Sequence, residues 1–114
     1  GHPAGDEAIR VLSRTIQFEK RETDVAGRYG GEEFVITLID TTAENAKVFA
    51  ERLRKSIENN IIEWEGIEIK YTISLGIAEL NNKTANHETW IQASDQALYF
   101  SKENGRNRTT LSDV

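Results

Sequence analysis

Residues 28–34 read RYGGEEF, two glycines against two carboxylates, set between short runs of strand-forming residues. Gly30 and Gly31 lack a Cβ, so a bulky ligand can approach the backbone there. Glu32 and Glu33 beside them are oxygen donors of the kind Mg²⁺ takes, and such an ion is usually shared between one or two carboxylates and substrate phosphates. The chemistry this points to is metal-assisted work on a nucleoside triphosphate. Neighbouring side chains of a strand face opposite ways, so the two glutamates share one task only if the turn twists them together. The alternative is a pair of solvated turn residues.

The elements that must position this tip can be read from spacing. Ile9, Leu12 and Ile16 recur at helical intervals from Asp6 to about Lys20, with Asp6 as the expected N-cap. Asp24–Tyr29 and Glu33–Ile39 read as strands joined by a two-residue turn at Gly30-Gly31. Thr41 and Glu44 have capping-box spacing ahead of a second helix, whose Phe49, Leu53 and Ile57 line one face and which should end near Asn59-Asn60. A short strand then turns at Gly66 into a longer one with Ile69, Tyr71, Ile73, Leu75 and Ile77 on one face. Trp90, Ile91, Ala97 and Leu98 mark a third helix ending at Gly105, and a brief strand follows over 108–111. Trp90, Leu98 and Tyr99 are read as core rather than as base-stacking platforms. Lys102 and Arg106, four apart across the helix end, are explained by themselves as partners of the helix dipole.

The order of helices and strands favours an α+β or α/β domain with helices against a sheet. Its opening on a helix suggests a sheet that lacks an upstream strand. At 114 residues, with 38% apolar and 29% charged residues and a single proline, the chain is one domain able to bury a core without staples. Cysteine is absent, which excludes disulfides, thiolate zinc sites and cysteine nucleophiles, and fits a reducing cytoplasm. No apolar run approaches the roughly 20 residues of a membrane helix, and no membrane contact is expected. The net charge of −5 argues against a nucleic-acid polymer as partner, while leaving room for a small anion held by a few local cations. His2 and His87 have no companion at metal-ligand spacing.

RYGGEEF resembles the signature of the GGDEF family of diguanylate cyclases in its GGEEF spelling. Four further stretches agree in order: GHPAGD with GHxxGD, RETD with RxxD, YTISLGIA with the serine-glycine strand, and SDQALYFSKENGRN with ADxALYxAKxxGRN. The resemblance covers essentially the whole chain as one domain, 1–114. It implies a ferredoxin-like, palm-type nucleotide cyclase fold, with a central, mostly antiparallel sheet flanked by helices. The family's opening strand, with a further metal-binding aspartate and a guanine-reading asparagine, lies upstream of GHxxGD, so the first strand is expected to be missing here and activity of the 114 residues alone is in doubt.

The implied reaction joins two GTP molecules into cyclic di-GMP with release of two pyrophosphates, using Mg²⁺ or Mn²⁺ and a homodimer in which each copy supplies half a site. Carried onto this chain, Glu32 is a metal ligand, and Glu33 activates the 3′-hydroxyl or holds a second metal. Gly30 and Gly31 make room for phosphate, Asp6 accepts from the guanine edge, and Lys102 and Arg106 grip the β- and γ-phosphates. Arg21 and Asp24, joined by Arg52, match the inhibitory product site for cyclic di-GMP. Arg28 receives no role. The localisation implied is cytoplasmic, including the cytoplasmic part of a larger sensor or membrane protein. Two other readings stay open: an inactive module that binds cyclic di-GMP or GTP as a regulatory receptor, and a dimerisation platform.

Overall fold

Proline at the first turn starts the chain's first helix, because its fixed φ suits a helix and its missing N–H has no partner to lose there. In the computed structural model, which describes residues 3–114, α1 spans Pro3–Glu19. Asp6 therefore lies inside the first turn rather than at the cap, where its charge still complements the helix N-terminus. Gly1 and His2, the opening of the GHPAGD motif, fall outside the described residues. β1 (Val25–Gly30) and β2 (Glu33–Thr37) form an antiparallel hairpin. α2 (Ala43–Glu58) begins one residue later than expected: Thr42, not Thr41, is the N-cap, and its hydroxyl accepts from the Asn45 N–H at 3.2 Å. Thr41 is instead engaged by Arg21, which donates to its Oγ1 at 2.9 Å.

β3 (Ile62–Trp64) and β4 (Ile67–Ile69) pair antiparallel through a turn at Glu65-Gly66, both with positive φ, the conformation whose twist matches a hairpin. β5 (Leu75–Ile77) pairs parallel with β6 (Thr109–Leu111), and α3 (His87–Glu103) crosses between them. Asn86 caps α3 through the Thr89 N–H at 2.9 Å, and Gly105 at φ +113° follows its Asn104 C-cap. None of the helices of the described residues is long and apolar enough to cross a membrane.

Among the described residues the chain is thus α+β, with two of three strand pairs antiparallel. The single central sheet that the resemblance implies is divided there into three two-stranded sheets. The long strand expected to run from Ile69 to Ile77 is two short ones, because residues 70–74 have no backbone ladder on either side and only 75–77 meet a partner.

The core lies where α2 and α3 meet these strands. Leu53 and Ile57 on α2 and Ile16 on α1 are buried, each contributing about 2 kcal/mol. α3 buries Ala93, Ala97 and Ser101, small residues at i, i+4 spacing that let β5 come close. A Cβ on Gly76 would run into the backbone of Leu98 and Ser94. Tyr99, expected in the core, is 65% exposed because it stands two positions off that stripe. Trp90 is half-buried, donating Nε1–H to Ala78 O at 2.8 Å. Tyr71 donates its hydroxyl to Ala8 O at 2.8 Å, tying the strandless segment to α1, and burial pushes its pKa up to about 12.

Candidate functional site

The hairpin tip departs from the expected turn by one residue. Gly30 pairs with Glu33, so the turn residues are Gly31 and Glu32, and only Gly31, at φ +51°, is left-handed. The register slips between Arg28 and Gly30, leaving Tyr29 without a partner, and an irregularity of this kind increases local twist. Glu32 and Glu33 line the same cleft of about 1470 Å³, floored by apolar residues of α1, β2, α2 and β5.

α3 delivers two cations to that cleft. Lys102 is in its last turn, and Arg106 lies beyond its cap at φ +60°, with its N–H donated to Ser101 O at 2.9 Å. Lys102 Nζ reaches Glu33 Oε2 at 3.4 Å across 69 residues of sequence. Both partners are partly exposed, so this ion pair adds less than about 1 kcal/mol to stability and is readily exchanged. Glu33 and Lys102 are thus in contact, and Glu32 and Arg106 border the same cleft.

Asp6 lines an adjoining depression of about 480 Å³ with Ile9, Arg10, Ser13, Arg14 and Arg28, and Ile9 borders both spaces. Arg28 donates to Gly31 O and so braces the turn that carries Glu32. Sequence reading left Arg28 without a role, since the bond depends on the turn geometry. No cluster of three or more His, Cys, Asp or Glu side chains suited to a metal occurs among the described residues.

Arg21, Asp24 and Arg52 lie outside that cleft. Arg21 donates Nε–H and Nη2–H to the two Asp24 oxygens at 3.0 and 2.9 Å, and Nη2 also donates to Ile39 O at 2.7 Å. Asp24 Oδ2 accepts from the Arg21 backbone N–H at 3.0 Å and Oδ1 from the Ile39 N–H at 3.2 Å. The Arg21 guanidinium and these N–H groups hold the Asp24 carboxyl down at about 2, against the cost of burial, and Asp24 raises the pKa of Arg21. The Asp24 side chain is 1% exposed, so the carboxylate expected in the product site is enclosed by the chain's own donors, while Arg21 is 56% exposed. Arg52, also exposed, donates to Glu19 Oε2 at 2.7 Å, two residues before Arg21, and its guanidinium lies 5.6 Å from the Phe49 ring centroid.

A family model described as "Diguanylate cyclase, GGDEF domain" matches residues 1–108. Diguanylate cyclase A of Treponema denticola is 44% identical over 112 residues, covering 98% of this chain and 30% of that protein. Probable diguanylate cyclase DgcC of Escherichia coli K12 is 38% identical over 111 residues, covering 97% and 30%. The chain therefore spans about 30% of the length of these curated relatives. Among solved structures, the GGDEF domain of DgcB from Caulobacter crescentus in complex with c-di-GMP superposes with a TM-score of 0.92 at 29% identity, over 100% of this chain and 68% of that one. The active GGEEF domain of a diguanylate cyclase from Vibrio cholerae gives 0.85 at 33% identity, over 100% and 72%.

Proposed function

Because the chain belongs to the GGDEF domain family, we propose that it is the catalytic domain of a cytoplasmic diguanylate cyclase, joining two GTP molecules into cyclic di-GMP and releasing two pyrophosphates. The observation that carries this reading is the Glu33–Lys102 ion pair next to the bare Gly30-Gly31 backbone, with Glu32 and Arg106 bordering the same cleft. In each half-reaction the 3′-oxygen of one GTP bonds to the α-phosphorus of the other, and the bond from that phosphorus to the bridging oxygen of the β-phosphate breaks. The electron pair leaves with pyrophosphate. Since one cleft offers one such set of groups, two copies of the chain face each other across the two nucleotides.

Lys102 and Arg106 hold the β- and γ-phosphates, and Arg106 suits planar, bidentate contact with phosphate oxygens. A triphosphate is a more highly charged partner for Lys102 than Glu33 is, so its arrival exchanges the 3.4 Å ion pair and frees the Glu33 carboxylate. Glu33 then takes the proton of the attacking 3′-hydroxyl or assists at the metal. Asp6 accepts from the adjacent N–H donors of guanine. Glu32 and Glu33 fit a divalent cation as a partial set of hard oxygen donors completed by phosphate and water. Mg²⁺ or Mn²⁺ bound there supplies neutralisation of the charge that develops on the phosphates.

Arg21, Asp24 and Arg52 are proposed as the product-binding corner, in which exposed Arg21 and Arg52 face cyclic di-GMP. Asp24 aims Arg21, and reaches a guanine itself only by giving up one of its internal donors. That corner also supports a second reading, a regulatory cyclic di-GMP receptor, favoured by the complex in which DgcB was solved. The two separate in one experiment on the full native protein. For a cyclase, Glu33→Ala lowers product formation at least about 100-fold with an unchanged melting temperature, and Arg21→Ala relieves inhibition by added cyclic di-GMP. Turnover indifferent to Glu33→Ala removes the role given to Glu33, and undiminished inhibition removes the role given to Arg21.

A further inference from the structure

Arg106 lines the cleft from a turn after α3 whose backbone is unusual. Gly105, Arg106 and Asn107 have φ of +113°, +60° and +47° in succession. Glycine adopts this region freely, whereas for other residues it costs roughly 1 kcal/mol each and must be held by the surroundings. The backbone supplies one tie, the Arg106 N–H to Ser101 O, and the Arg108 guanidinium supplies another, to Arg106 O at 3.1 Å.

The remaining ties come from α2, on the far side of the turn. Asn107 is gripped at both ends of its amide: Nδ2 donates to Glu58 Oε2 at 2.6 Å, and Oδ1 accepts from Arg54 Nη1 at 2.9 Å. Arg54 is only 13% exposed and donates Nε–H and Nη2–H to both oxygens of Glu51, each at 2.9 Å. Glu51 Oε2 also accepts the Thr109 hydroxyl at 2.8 Å. Arg54 and Thr109 hold the Glu51 carboxyl at about 2, so the group stays ionised throughout the neutral range. α2 is thereby fastened to Asn107 and Thr109, just beyond Arg106, and none of Glu51, Arg54, Asn107 or Thr109 lines the cleft.

We propose that Arg54 is a positioning residue for nucleotide phosphate: acting through Asn107, it fixes the backbone that aims Arg106 into the cleft beside Lys102. This rests on the reading of the cleft as the GTP site. The planar fork of arginine is what allows one side chain to hold Glu51 with two donors and Asn107 with a third, which lysine cannot reproduce.

The test is a cycle of GTP·Mg²⁺ dissociation constants in the full native protein for Arg54→Met, Arg106→Ala and the double variant, with amide hydrogen exchange on each. Arg54→Met should weaken GTP binding on the order of 10-fold. The double variant should bind no more weakly than Arg106→Ala alone, because both changes remove one contact. Exchange should quicken at residues 106–109 and stay unchanged across α1 and the hairpin, which a general loosening would not leave alone. Should Arg54→Met fail to fold, Asn107→Ala cuts only the link to the turn and carries the same expectations. GTP affinity untouched by a folded variant, or losses that add in the double variant, would overturn the proposal alone. An unsubstituted protein that does not bind GTP would overturn the reading of the cleft and the proposal with it.

Discussion

Asp24 is the residue whose surroundings make the sharpest demand on solution behaviour. Its carboxyl is held at about 2, below its ordinary value of 3.8, and Glu51 is held at about 2 against 4.5. A depressed folded pKa stabilises the native state above the unfolded value and loses that contribution as pH falls through the folded one. Stability should therefore be level near neutrality and decline from about pH 4.5 toward 2, as read from urea unfolding at a series of pH values. Asp24→Asn should cost about 2 kcal/mol at neutral pH, and the gap to the unsubstituted protein should close as pH approaches 2. Curves that stay parallel down to pH 2 would show that Asp24 is not held as described. RETD groups Arg21 with Asp24 only through its resemblance to RxxD; their ion pair follows from the folded turn. The sealing of Asp24 is not legible there, since one of its donors, the Ile39 N–H, comes from 15 residues on at the far end of the hairpin.

At the scale of elements, the close approach of α3 and β5 turns on Gly76. Gly76→Ala forces the helix backbone away and should cost about 3 kcal/mol, whereas Gly27→Ala, with open space around its missing Cβ, should change stability by less than about 1 kcal/mol. Equal effects in urea unfolding would contradict this packing. Helix existence was legible because Ile9, Leu12 and Ile16, or Leu53 and Ile57, repeat at a period that only a helix satisfies. Boundaries were less so: Thr41 and Thr42 can both cap, and the choice follows from Arg21 taking Thr41. The same holds at the hairpin, where Gly30 and Gly31 both suit a turn and cross-strand register decides. The run from Ile69 to Ile77 alternates as a single strand would, yet a strand also needs a neighbour's backbone, and β6 is long enough to meet only its last three residues.

For the whole molecule, the resemblance of the motifs assigns Glu32, Glu33, Lys102 and Arg106 to one site, and Glu33 and Lys102 are in contact. Spacing alone could not assign them so, because Glu33 and Lys102 meet across 69 residues of chain. The brace from Arg28 to Gly31 O and the clamp from α2 to Asn107 were not legible, as both depend on backbone conformations that appear only in the folded turns. On the proposed cyclase reading each cleft serves one nucleotide and two copies complete the reaction, so specific activity should fall as the protein is diluted below its dimer dissociation constant. Activity per chain that is constant through dissociation would contradict the two-copy site. The most direct measurement is chromatographic quantitation of cyclic di-GMP and pyrophosphate after incubating the full native protein with GTP and Mg²⁺. The account predicts cyclic di-GMP with two equivalents of pyrophosphate. A folded, dimeric protein that binds GTP and forms no cyclic di-GMP would contradict it.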